Sequence, residues 1–287
     1  MHPDQEDEIA YTLDRVRIPY FIWGEPLLRI YGILVPRPKQ FSGWVVPDRF
    51  LNEANESMRS LGYEHCPHGK TCTFLQDGIG SHPDPDRHYH PGEYKGLCIP
   101  GIRELTISFY AKSRLFSYFP DPNAGPPEAN DPYYTLASDA RFPIVAFPLP
   151  PWVARGRHPL SRYPVKVPKP NKYIEAIIGL RCRALDGSMF AGHWIVEINF
   201  LQRLFTNDPE NTRIRITDLS TPFRQYMVIR CFYNMPTFNR ELISFQYLHR
   251  VYGELARADL LPPPEGIVQL GEQSDFQRRL REWNMMI

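Results

Sequence analysis

Apolar positions first recur at helical spacing, with Ile9, Leu13 and Val16 on one face of residues 6–17. The acidic start of that segment suits a helix N-terminus, so a short amphipathic helix is expected there. The unbroken run Tyr20-Phe21-Ile22-Trp23 predicts a buried strand closed by Gly24-Glu25. Pro26 then opens a helical stretch with Leu27, Leu28 and Tyr31, which Gly32 ends. A second strand is expected over Gly43-Trp44-Val45-Val46-Pro47, followed by a helix over 48–62. Asp48 caps that helix, its apolar face carries Phe50, Leu51, Ala54, Met58 and Leu61, and Gly62 stops it. Between Cys66 and Pro100 the composition turns to Gly, Pro, His and Asp, which predicts an ordered or metal-clamped loop rather than regular structure. Strands resume with the alternating run Leu105–Tyr110 and with Pro164-Val165-Lys166-Val167. After Tyr173 helical periodicity dominates, over 172–185, 190–206, 238–258 and 274–284, with an apolar run Met227–Phe232 between the second and third.

These elements predict an α+β fold. Residues 1–170 form an α/β lobe whose mixed sheet holds 20–24, 43–47, 104–111 and 163–168, and residues 171–287 form a mainly helical lobe. Composition changes this picture little. A chain that is 43% hydrophobic and 23% charged folds around a sizeable core rather than staying disordered. Its 33 basic and 32 acidic residues give a net charge of +1, so no global field favours nucleic acid or an anionic membrane. No run reaches the length of a membrane span, and the polar, acidic start does not resemble a secretion signal. Five cysteines without a tight framework read as reduced thiols, and a cytoplasmic protein with no membrane partner is expected. The thirty prolines crowd 119–170 and 262–264, where long ordered connections should cross the surface.

The strongest chemical signal is Cys66-x-His68-x-x-x-Cys72, followed by His82, His88, His90 and Cys98, all ligand types that suit zinc. If 88–90 is extended, His88 and His90 share a face, and Cys66 and Cys72 complete a tetrahedron. The alternative is a surface loop of solvated histidines and half-buried thiols, since the spacing matches no standard pair of closely spaced cysteines. His193 and Glu197 lie four apart on one face of a predicted helix, as a catalytic pair or as a satisfied contact between lobes. Lys112, Arg114, Arg141, Arg155, Arg157, Arg162, Lys166, Lys169 and Lys172 are interleaved with Phe116, Tyr133, Tyr134, Trp152, Tyr163 and Tyr173. That mixture suits phosphates and stacked bases, or simply covers a sheet. Cys182 and Cys231 sit in apolar surroundings and read as core thiols. No nucleophile elbow, Walker loop or dinucleotide fingerprint is present.

Several short motifs occur in a fixed order: Phe21-Ile22-Trp23-Gly24-Glu25, Tyr31-Gly32, Val45-Val46-Pro47-Asp48, the Cys/His loop, Lys112-Ser113-Arg114-Leu115-Phe116, Ala137-Ser138-Asp139 and Tyr163-Pro164-Val165-Lys166. In that order, over roughly residues 18–200, the chain resembles a large family of uncharacterised fungal proteins with a nucleotidyltransferase-like fold. The resemblance implies a lobe whose working relatives hold two Mg²⁺ ions with carboxylates two apart on one strand. Here those positions fall on Phe41 and Gly43, which cannot bind metal, and Glu25 stands where a small residue would let the backbone approach a phosphate. Ordinary nucleotidyl transfer and bound Mg²⁺ are therefore not expected.

Three functions remain open. The first is a nucleotidyltransferase-fold protein that binds a nucleotide or RNA in a cleft between lobes, with Lys112, Ser113, Arg114 and Lys166 as ligand contacts. The second is a group-transfer enzyme of fungal secondary metabolism, acting on a small molecule or an aminoacyl-tRNA, with His193, Glu197, Glu25 and Asp139 as the catalytic candidates. The third is a zinc-stabilised interaction module.

Overall fold

The computed structural model describes residues 3–35, 41–72, 75, 82–91, 106–144, 156–186, 190–206, 214–232 and 237–261. The chain is mixed α/β. It begins with α1 (Pro3–Arg15), β1 (Phe21–Trp23), α2 (Glu25–Ile30), β2 (Phe41–Val46) and α3 (Leu51–Ser60). β3 (Arg87–Tyr89), β4 (Thr106–Ala111), the short α4 (Lys112–Leu115), β5 (Tyr134–Leu136) and β6 (Lys166–Pro168) follow. The remainder is helical: α5 (Pro170–Arg183), α6 (Ala191–Leu201), α7 (Arg203–Thr206), α8 (Thr221–Phe232) and α9 (Thr237–Arg257).

Four strands form a mixed sheet in the order β1-β2-β4-β3, with β2 and β4 parallel and both edge strands antiparallel to their neighbours. Its register decides where side chains meet. Trp23 lies opposite Gly43, Gly43 opposite Ser108, and Ser108 opposite His88. Residues directly opposite point the same way, so these four make one row across one face of the sheet. On the other face Trp44 stacks on Phe109 at 6.2 Å and Tyr89 meets Phe109 edge-on at 6.0 Å.

The helical part packs around α5, which is buried on nearly every side because α6, α8 and α9 surround it. Its arginines are buried with it, and the Arg183 guanidinium donates to the Arg114 carbonyl at 2.6 Å, tying the helix to α4. Buried apolar side chains form one continuous cluster from Ile9 to Leu255. At the turn after α2, Gly32 has φ +83°, and a Cβ there would lie 2.3 Å from the Pro143 ring, so glycine is needed on both counts.

Two expectations change. The segment at 163–168 does not join the main sheet: β6 pairs with β5 in a separate two-stranded sheet that packs beside β1. Pro164 and Pro168 flank it and offer no N–H to a central ladder. The fourth strand is instead β3, inside the segment read as loop, where three residues are too few for alternation to register. The run Met227–Phe232 belongs to α8, whose Phe223, Tyr226, Met227 and Arg230 recur at helical spacing on its buried side. The helix expected at 274–284 lies outside the described residues.

Candidate metal centre

The centre is built by the two ends of the Cys/His segment. α3 closes with the Tyr63 amide bonded to the Met58 carbonyl and the Gly62 amide to the Arg59 carbonyl. This is a Schellman motif, made by Gly62 at φ +81°. The turn sends the chain to the outer edge of β3, where His65 bridges Tyr89 and the Cys66 amide donates to the His88 carbonyl at 2.9 Å. A short 3-10 turn, Gly69–Thr71, then reverses direction. The Thr71 amide and hydroxyl both donate to the His68 carbonyl, at 3.0 and 2.8 Å, and the Cys72 amide donates to the Gly69 carbonyl. Cys72 is thereby returned to the strand, its Sγ 3.3 Å from His90 Nε2.

His88 lies on β3 and His90 two residues on, and their rings stand 5.1 Å apart. Cys66, Cys72, His88 and His90 are buried, at 5%, 3%, 1% and 5% exposure, while Glu64, His65, Pro67, His68 and Thr71 around them are exposed. One ligand atom from each of the four lies within 4.8 Å of the others, so the group could hold a metal ion. Tetrahedral bonds of 2.0–2.3 Å separate ligand atoms by about 3.3–3.8 Å, a spacing that Cys72 Sγ and His90 Nε2 already meet and that a pair at the 4.8 Å limit would reach by closing about 1 Å. Burial, then the neighbouring His90, pushes the His88 imidazole down to about 4, which keeps it in the neutral form that ligates metals. Its Nε2 is buried with no hydrogen-bond partner among the described residues.

A strap, residues 82–86, leads into β3. Asp86 accepts from the Ala111 amide and the Arg114 guanidinium, both at 2.8 Å, and the Pro83 carbonyl accepts from the Tyr110 hydroxyl at 2.9 Å. At its start the His82 ring meets His193 at 4.6 Å and Trp23 at 6.4 Å. His82 therefore belongs to this contact, not to the four-residue cluster. Cys98 lies outside the described residues, as do Trp152 and Arg155.

Comparison with protein-family models, curated proteins and solved structures returns no match. The remaining candidates are therefore judged on geometry alone.

Three of the four catalytic candidates converge where β1 meets α2. Gly24, at φ +75°, donates its amide to the Tyr173 hydroxyl at 3.0 Å, and that hydroxyl donates to Glu197 at 2.6 Å. Glu25 is ion-paired with Arg29 at 3.0 Å, and the His193 ring stands 6.2 Å from Trp23. Burial, with the nearby Glu25 charge adding to it, pushes the Glu197 carboxyl up to about 7 against the opposing Tyr173 hydrogen bond. Asp139 is elsewhere, locked in a turn with Arg141 and Thr135. Burial raises its carboxyl, but those hydrogen bonds outweigh the effect and hold it down at about 2.

The four ligand-contact candidates all have internal partners. Lys112 donates to the Phe119 carbonyl at 2.6 Å and stands 3.3 Å from Asp121, and Arg114 is paired with Asp86. Ser113 donates its amide and hydroxyl to Asp48. Lys166, 1% exposed, donates to the Asn123 carbonyl and sits 4.6 Å over the Tyr20 ring, and burial pushes its amine down to about 8. Among the other cations, Arg141 pairs with Asp139, Arg162 with Asp4 and Asp7, and Lys172 with Glu175. Gly43, one of the two positions where carboxylates were expected, sits in the row between Trp23 and Ser108. Asp86 was missed by sequence reasoning, since nothing local distinguishes it from its acidic neighbours. Tyr173, grouped with the cations as an aromatic neighbour, instead bridges the Gly24 amide and Glu197.

Proposed function

We propose that the chain is a zinc-stabilised binding protein, in which Cys66, Cys72, His88 and His90 hold one Zn²⁺ as a closed structural site. The observation that carries this is the four buried ligand atoms within 4.8 Å of one another. Two sulfurs and two imidazoles form a donor set that favours zinc over magnesium or calcium. With four protein ligands, no position is left open for a substrate or a reactive water, so the metal stabilises rather than catalyses. The ion joins segment 66–72 to β3 and hence to the sheet face on which Trp23, Gly43 and Ser108 lie. We place this on a nucleotidyltransferase-like lobe without metal-binding carboxylates, whose ligand is a nucleotide or RNA.

Metal analysis of protein purified without chelator tests the proposal and should give about one zinc per chain, with no tightly held magnesium. Cys66→Ser should lower zinc content and melting temperature together. Metal-free protein that melts where the wild type does would overturn it.

A second reading has one observation in its favour, the convergence of Glu25, His193 and Glu197 from three elements around Tyr173 and Trp23. A carboxyl titrating near 7 suits proton transfer at neutral pH, as a group-transfer enzyme would require. If that reading holds, Glu197→Gln should abolish turnover of a small-molecule or aminoacyl-tRNA substrate. Unchanged turnover would remove it.

A further inference from the structure

The same four-residue cluster contains a second chemistry. We infer that Cys66 and Cys72 form a peroxide-sensitive thiol pair, whose oxidation to a disulfide ejects the zinc and releases the strap at 82–90. The inference rests on the zinc reading above and adds regulation to that site.

The geometry comes first. The two sulfurs are within 4.8 Å of each other, inside disulfide-forming range after a small movement. They sit at the two ends of a turn held by main-chain and threonine hydrogen bonds to the His68 and Gly69 carbonyls, with no regular element between them beyond Gly69–Thr71. That is a short closure with little to resist it. Each cysteine is buried, at 5% and 3% exposure, while Pro67, His68 and Thr71 in the turn between them are exposed.

The other described cysteines differ. Burial pushes the thiols of Cys182 and Cys231 up to about 12, and Cys182 lies wholly inside the helical core with its Sγ against the Leu248 carbonyl. Such thiols stay protonated and inert, whereas zinc coordination strips the proton from its cysteines and leaves thiolates at neutral pH.

The balance is as follows. One thiolate attacks a peroxide oxygen, the O–O bond breaks, hydroxide leaves, and a sulfenic acid forms. The second thiolate attacks that sulfur, the S–S bond forms, and a second hydroxide departs. Two electrons pass from the sulfurs to the peroxide, whose two oxygens leave as hydroxide and are neutralised by the solvent buffer. The metal is left with two imidazoles and dissociates, because its affinity depends on all four ligands. A dithiol reductant reverses the disulfide and, with zinc, restores the site.

Release should travel along β3. Among the described residues, the Cys66 amide bond to the His88 carbonyl, the His65 bridge to Tyr89 and the His65 ring against His88 and Tyr89 also tie the two segments. Beyond them lie Asp86, which holds Ala111 and Arg114, and His82 against His193 and Trp23. Oxidation therefore loosens contacts at the face where Trp23 and His193 meet.

The test uses the full chain loaded with zinc, its metal content measured first. Hydrogen peroxide is added with a chromogenic zinc chelator present, and thiols and disulfides are mapped by peptide mass. The expected result is about one zinc released for every two thiols lost, a Cys66–Cys72 disulfide, and recovery with dithiothreitol and zinc. Cys98→Ser and Cys231→Ser should release zinc as the wild type does. Zinc kept under peroxide, thiols lost as sulfinic acid without a disulfide, or release abolished by Cys98→Ser would each overturn the inference while leaving the zinc reading intact. Protein without zinc at the outset would overturn both, and that failure is seen before any peroxide is added.

Discussion

Glu197 is a carboxyl that its surroundings hold well above the ordinary range. It is 3% exposed, accepts a hydrogen bond from Tyr173 and feels the Glu25 charge. Its folded pKa of about 7 lies above the ordinary carboxyl value of 4.5, so the folded state holds a proton that the unfolded state has lost between those values. Stability from this group is full below about pH 4.5 and is lost as pH rises through about 7. A shift of that size corresponds to on the order of 3 kcal/mol. Glu197→Gln, neutral at every pH, should therefore be flatter than the wild type in denaturant midpoint between pH 5 and 8. Parallel curves would show that Glu197 ionises without cost. Lys166 behaves in the opposite sense: its amine is depressed to about 8, so stability from this group rises with pH through 8.

The strap and β3 form the element on which the centre depends, and they were the least legible in the sequence. Helices α1, α3, α5 and α9 and strands β1, β2 and β4 follow from apolar spacing, because each buries a long enough face for periodicity to show. Arg87-His88-Tyr89 buries too little, and its surroundings of Gly, Pro, His and Asp read as turn. The site was legible for a different reason. Alternation within a strand places His88 and His90 on one face whatever holds the strand in place, and the two cysteines were chosen on ligand chemistry alone. What joins them, the Schellman turn at Gly62 and the bond from the Cys66 amide to His88, is tertiary and leaves no local pattern. The cations Lys112, Arg114 and Lys166 were singled out as ligand contacts because the carboxylates and carbonyls that pair with them are distant in sequence. Asp86 anchors the strap through two hydrogen bonds, one charge-assisted, so Asp86→Ala should cost about 1–3 kcal/mol in chemical denaturation. It should also weaken zinc retention against a chelator. A variant as stable as the wild type would mean that the strap is held elsewhere.

The whole molecule is a mixed α/β chain with one continuous core, no described helix long and apolar enough to cross a membrane, and a buried Cys/His cluster that could hold a metal ion at the outer edge of its sheet. The proposed ligand contacts Arg114 and Lys112 are already paired, so phosphate would have to displace Asp86 or Asp121 to reach them. Arg114→Ala should accordingly lower stability as well as any RNA affinity, and a loss of affinity with no change in melting would show a free, dedicated phosphate contact. The central claim is the coordination of zinc by two sulfurs and two imidazoles. Zinc-edge X-ray absorption on the purified protein reads that shell directly. The account predicts two sulfurs near 2.3 Å and two nitrogens near 2.0 Å, four ligands in all. A shell of oxygen and nitrogen only, or one that is unchanged in Cys66→Ser, would contradict it.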